Sequence, residues 1–131
     1  MRAFYIALFG LLGVFSRYYL GLGVNKILPA PFPYGTFLIN MTGAFLIGVV
    51  HVLGVERATI SSDLRMGIVV GFLGGYTTFS TYCLEAVKLT EEAKYGYAAL
   101  YFLVSPILGC LAVLCGMFLT RLLLVGFISR I

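Results

Sequence analysis

Four long stretches almost without charge decide what this chain can fold into. Residues 3–25 are interrupted only by Arg17, and residues 36–54, 66–84 and 95–120 carry no Asp, Glu, Lys or Arg. A helix needs about 20 predominantly apolar residues to cross a bilayer, so the expectation is four crossings. Composition agrees: 61% of the residues are hydrophobic and 11% charged, against about 25% charged in a soluble domain. The segments between the stretches are short and leave no room for a second, soluble domain. The reading is therefore one all-α integral membrane domain over residues 1–131, with helices at about 3–27, 36–55, 65–88 and 95–125.

Each boundary has a local cause. Pro29, Pro31 and Pro33 break the first helix, and Gly35 completes the turn. Residues 56–63 are polar and read as a loop, and the charged run from Glu85 to Lys94 reads as a helix end and turn. The last helix would be roughly 45 Å long, longer than the ~30 Å hydrocarbon core, so it must tilt or protrude. Arg2 ahead of an apolar run is similar to a secretory signal. No small-x-small cleavage site follows, however, and apolar character continues past Arg17 to Val24, which marks a membrane helix.

The net charge is +4, but the nine Lys and Arg are scattered, so nothing favours a nucleic-acid partner. If the helices alternate, Arg2, Arg57, Arg65, Arg121 and Arg130 share one side, opposite Lys26, Lys88 and Lys94. Cytoplasmic segments are enriched in Lys and Arg; a bias this slight leaves both orientations open. Cys83, Cys110 and Cys115 all lie in apolar segments and read as packing residues, with no disulfide framework or metal spacing. Gly67 and Gly71, Ala44 and Gly48, and Ala112 and Gly116 stand in small-xxx-small register, which lets helices approach closely in lipid. With 16 glycines in the chain, such faces are expected to serve a partner as well as the interior.

Polar groups within the apolar stretches need explaining. Arg17 either snorkels to the headgroups or faces a water-filled vestibule, where it would concentrate anions. Asn40 is either interhelical glue or a donor to a ligand. His51, near the far end of the same helix, reads as interfacial. No carboxylate is expected at depth: Glu85 falls at the end of the third span, and Glu56, Asp63, Glu91 and Glu92 in loops. That disfavours a cation pathway. Residues 71–82, GFLGGYTTFSTY, are poor helix material, because glycine is flexible and hydroxyls compete for backbone groups. A break is expected there, and at membrane depth a break survives only where it is buried in protein or lines water. Phe79 and Tyr82 lie on one face, and ring edges carry partial positive charge. Tyr101 and Ser105, four apart, place two hydroxyls on one face of the last helix.

Three motifs in order resemble the Fluc family of fluoride channels. They are GLLGVFSRYY at residues 10–19, FPYGTFLINMTGAF at 32–45 and, most specific, GGYTTFSTY at 74–82. The resemblance runs over essentially the whole chain. It implies a dual-topology homodimer of antiparallel protomers in a plasma (bacterial or archaeal inner) membrane, each with four transmembrane helices, the third broken mid-membrane. Two fluoride pores would allow passive export. It further implies pore residues Asn40, Phe79, Ser80, Thr81 and Tyr82, with Tyr101 and Ser105 as fourth-helix lining and Arg17 at the vestibule. A structural, untransported Na+ would sit at the dimer centre on the backbone carbonyls of Gly74 and Thr77. Tyr82 departs from the family pattern, which has Phe there. Two rivals stand beside this reading. A small dual-topology multidrug exporter needs an acidic residue in the first helix, where there is none. A non-transporting assembly subunit leaves residues 74–82 unexplained. An enzyme is disfavoured for want of a nucleophile–base pair.

Overall fold

The computed structural model describes residues 1–128; Arg130, counted above among the like-sided arginines, lies outside them. The described residues form helices α1 (Arg2–Ile27), α2 (Tyr34–His51), α3 (Ser62–Met66), α4 (Gly74–Tyr76), α5 (Phe79–Glu91) and α6 (Tyr95–Ile128). Two wide, π-helical stretches complete them: Val52–Glu56 continues α2, and Gly67–Leu73 joins α3 to α4. Three of the resulting segments, Arg2–Ile27, Tyr34–Glu56 and Tyr95–Val125, are long and apolar enough to cross a membrane. The protein is thus an all-α integral membrane protein. The remaining apolar stretch, residues 66–84, is interrupted: Thr77 and Thr78 are extended (φ −83°, ψ 159° and φ −150°, ψ 114°) between α4 and α5.

Paired contacts set the directions of the helices. Arg2 Nε meets Asp63 Oδ1 at 3.0 Å, Gly10 packs on Gly71, and Arg17 reaches Thr77, so α1 runs parallel to residues 62–77. Helix α2 runs the other way, with Thr36 bonded to Glu85, Asn40 to Thr78 and Arg65 to the Gly54 carbonyl. It is parallel to α6, because Phe32 packs on Tyr101, Gly48 on Val113 and Met117, and Glu56 is paired with Arg121. The polar clusters Arg2–Asp63 and Glu56–Arg121 therefore share one end of the bundle, the arrangement that alternation demands.

Several of the small residues are spent inside the chain. A methyl group added at Gly13 would overlap the Phe72 carbonyl, and one at Gly116 the Phe45 carbonyl. Gly67, Gly71 and Gly75 form the stripe on which Tyr5, Phe9 and Gly10 of α1 sit. Gly48, Gly67, Gly71 and Gly116, expected to serve a partner too, thus bring backbones of this chain together. Such close approach substitutes for the hydrophobic effect, which does not drive helix association in lipid. The buried cluster is Tyr82, Ala86, Leu89, Ala98 and Tyr101, between α5 and α6.

Helix α5 ends in a Schellman motif: Lys94 N–H donates to the Leu89 carbonyl and Ala93 N–H to that of Thr90. The left-handed position is held by Ala93, with φ 58°, where glycine is the usual residue.

Candidate functional site

The interruption at Thr77 and Thr78 organises the site. Thr77 N–H still donates to the Leu73 carbonyl at 2.9 Å, as a continuing helix requires. The Thr78 N–H does not go to Gly74; it donates to Asn40 Oδ1 at 2.8 Å. Asn40 Nδ2 returns a bond to the Thr78 carbonyl at 3.0 Å. One amide side chain from α2 therefore satisfies both polar groups of a residue that has left the helix, and the Gly74 carbonyl is released from its i+4 partner. A primary amide carries two N–H donors; one remains beyond the bond to Thr78.

Beyond the break, Thr78 caps α5 with its side chain: Oγ1 accepts from Thr81 N–H at 3.3 Å and donates to Thr81 Oγ1 at 2.9 Å. Ser80 Oγ is 3.5 Å from Thr78 Oγ1. The polar side chains of Thr78, Ser80 and Thr81 thus cluster around the start of a helix whose first turn presents N–H groups.

Of the cavities around this point, two hold most of the side-chain polar groups. A cleft of about 190 Å³ is lined by Asn40, Phe79, Tyr82, Ser105, Pro106 and neighbouring residues. The Phe79 and Tyr82 rings are 5.7 Å apart at 36°. Phe79 is 77% exposed, whereas Tyr82 is buried. Ser105 Oγ is buried there without a hydrogen-bond partner. The second cavity, about 380 Å³, holds Arg17, Asn25, Thr36, Thr78, Thr81 and Glu85 among its walls. Arg17 is half-buried, and its Nη1 donates to the Thr77 carbonyl at 3.4 Å.

Asn40, Phe79, Tyr82 and Ser105 therefore meet in one cleft, and Thr81 joins Arg17 in the other cavity. Ser80 lines neither and is exposed. Tyr101 lines neither because it is fully buried behind Tyr82, the rings T-shaped at 5.0 Å. Its hydroxyl is committed to Glu85 Oε2 at 2.8 Å. Gly74 and Thr77 lie on a larger open groove between α2 and α6, with Asn40 and Phe79.

Glu85, expected at the end of the third span, is held there by side chains of two other helices. It lies mid-way along α5, level with Thr36 in the first turn of α2, is half-buried, and accepts from Thr36 Oγ1 at 2.8 Å as well as from Tyr101. Two hydroxyl donors make that position tolerable for a polar group. Its spacing from Thr78 and Thr81, seven and four residues on, was the available signal, since these positions share a helical face. His51, read as interfacial, sits at the arginine-rich end, 3.8 Å from Glu56.

The fold and site define an all-helical, multi-pass membrane protein with an interrupted helix and a cleft of hydroxyl, amide and aromatic groups. The profile of the CrcB-like protein family, Camphor Resistance (CrcB), matches residues 4–117, and the chain belongs to that family. Relatives agree. It is 43% identical over 117 residues (89% of this chain, 94% of the relative) to "Fluoride-specific ion channel FluC" of Acidobacterium capsulatum. It is 44% identical over 120 residues (92% and 94%) to the protein of that name from Hahella chejuensis. A third, from Geotalea uraniireducens, is 48% identical over 90 residues (69% and 73%).

Proposed function

We propose that this protein is a fluoride channel of the bacterial inner membrane, a passive conductor and not an enzyme, that lowers cytoplasmic fluoride. One observation carries the mechanism: a single cleft brings together an amide donor (Asn40), two aromatic rings (Phe79, Tyr82) and a buried hydroxyl with no partner (Ser105). Fluoride is small and strongly hydrated, so a selective path must replace its water with several donors, each weak enough to release it. Ring edges and neutral N–H and O–H groups do this without a fixed cation that would trap the ion. Arg17, in the adjoining cavity, raises local anion concentration without joining the cleft. Thr78, Thr81 and Ser80 extend the hydroxyl chain between the two, and Tyr101 orients Glu85.

The working unit is proposed to be an antiparallel, dual-topology homodimer in which each chain crosses four times. The third crossing is the interrupted segment from Ser62 to Glu91, broken at mid-membrane. Phe79 at 77% exposure and the open groove beside it leave the cleft without a wall on one side, which a second copy would supply. A structural Na+ at the dimer centre would draw on hard oxygen ligands at the helix break, repeated in each copy: the freed Gly74 carbonyl of α4 and the carbonyl of the extended Thr77, which Arg17 Nη1 also approaches at 3.4 Å. It would supply a fixed central charge that ties the two broken helices together.

A multidrug exporter remains disfavoured, since α1 has no acidic residue and Glu85 is already held by two hydroxyls. The deciding experiment is fluoride efflux from liposomes read with a fluoride electrode, with chloride as control. Rapid fluoride release without chloride release is expected; none from well-folded protein in sodium would return the assembly-subunit reading.

A further inference from the structure

Pro106 lies inside α6 and has no N–H to give. In an unbroken helix the N–H at position 106 would donate to the carbonyl of residue 102, four earlier. That carbonyl is not left bare. The Tyr82 hydroxyl, reaching across from α5, donates to the Phe102 carbonyl at 2.7 Å. Tyr82 and Pro106 both stand in the wall of the cleft with Asn40, Phe79 and Ser105. The Tyr82 ring is fixed on its other sides by Tyr101 at 5.0 Å and by Phe102, parallel within 10° at 6.4 Å.

We propose that Tyr82 is a positioning residue of the anion path, its hydroxyl standing in for the helix hydrogen bond that Pro106 deletes. Two consequences follow from one bond. The negative end of the Phe102 carbonyl is neutralised beside a path for anions, where an unpaired carbonyl would oppose their passage. The Tyr82 ring is also held at one angle to Phe79, so its edge stays available. The phenylalanine found here in the family pattern could not do the first. The effect on flux rests on the channel reading above, whereas the hydrogen bond itself does not.

The test is a double-mutant cycle between Tyr82→Phe, which removes only the hydroxyl, and Pro106→Ala, which returns an N–H to position 106. Fluoride efflux and Tm are measured for all four proteins. Tyr82→Phe alone should slow fluoride efflux about fivefold, one neutral hydrogen bond of roughly 1 kcal/mol expressed as a rate, and lower Tm. With alanine at 106 the same change should leave both nearly unmoved. Equal losses in the two backgrounds would overturn the proposal. So would a Tm loss that Pro106→Ala cancels while efflux never changes, because the bond would then be structural only. Pro106→Ser, which also restores the N–H, is the second arm should Pro106→Ala not fold. If the unsubstituted protein passes no fluoride, the channel reading and the flux claim fall together, and the Tm cycle alone decides the bond.

Discussion

Asn40 and Thr78 hold each other by two hydrogen bonds, Nδ2 to the Thr78 carbonyl at 3.0 Å and Thr78 N–H to Oδ1 at 2.8 Å. The pairing explains how a helix can stop and restart inside an apolar bundle. The peptide groups lost to the helix are returned by one side chain of the right length, from a helix running the opposite way.

Asn40→Asp separates these roles. Aspartate can still accept from Thr78 N–H, but it places a second oxygen against the Thr78 carbonyl and a negative charge beside the cleft. Leaving the carbonyl unpaired costs about 1–3 kcal/mol. Fluoride efflux should fall by more than an order of magnitude, while size-exclusion chromatography still reports the native assembly. Unchanged efflux would remove Asn40 from the path.

Phe79→Ile keeps an apolar side chain of similar depth and removes the ring edge. Because Phe79 is largely exposed within one chain, its loss should leave the protomer folded and its Tm close to that of the parent. Efflux should nonetheless collapse. Retained efflux would show that the aromatic edge is not an anion contact.

Ala93→Gly tests a different part of the chain. Ala93 occupies the left-handed position of the α5 terminus with φ 58°, a conformation that costs a residue bearing Cβ about 1–2 kcal/mol. Glycine should raise Tm and leave fluoride efflux as it was, since the turn lies away from both cavities. A lower Tm would mean that the unfolded-state entropy of glycine outweighs the relieved strain.

Gly116→Ala should do the reverse. The added methyl would overlap the Phe45 carbonyl, and backbone cannot step aside as a side chain can. Overpacking of this kind costs about 1–3 kcal/mol, read as a lower Tm or loss of folded protein in detergent. Normal stability would show that the contact between α2 and α6 is looser than the structure has it.

Replacing sodium with a large organic cation addresses the proposed central ion. Efflux should fall as Na+ is withdrawn and return when it is restored, without Na+ itself being carried. Insensitivity to sodium would leave the Gly74 carbonyl as a consequence of the break and nothing more.

Much of this molecule was legible in the chain because the membrane is a severe solvent. Backbone groups must be paired internally there, so apolar stretches become helices, prolines and charged turns become boundaries, and two adjacent glycines followed by hydroxyl residues become a break. The grouping of Asn40 with Phe79 and Tyr82 was likewise readable, through the order of three motifs. Other relationships depend on which helix lies beside which, and no spacing encodes that. Glu85 reads as a span-end carboxylate, but that Thr36 and Tyr101, from two other helices, donate to it is not written in its spacing. Tyr101 reads as lining until the packing of α5 on α6 puts it behind Tyr82. The pair Gly67 and Gly71 reads as a face for any neighbour until α1 fills it, with Gly75 extending the stripe. Sequence alone determined the solvent, the secondary structure and the residue types of the site, because these follow from local free energies of transfer and backbone pairing. Only the tertiary structure decided which donor meets which acceptor, including the Tyr82 hydroxyl and the carbonyl that Pro106 leaves unpaired, because hydrogen bonds act over about 3 Å between residues far apart in the chain.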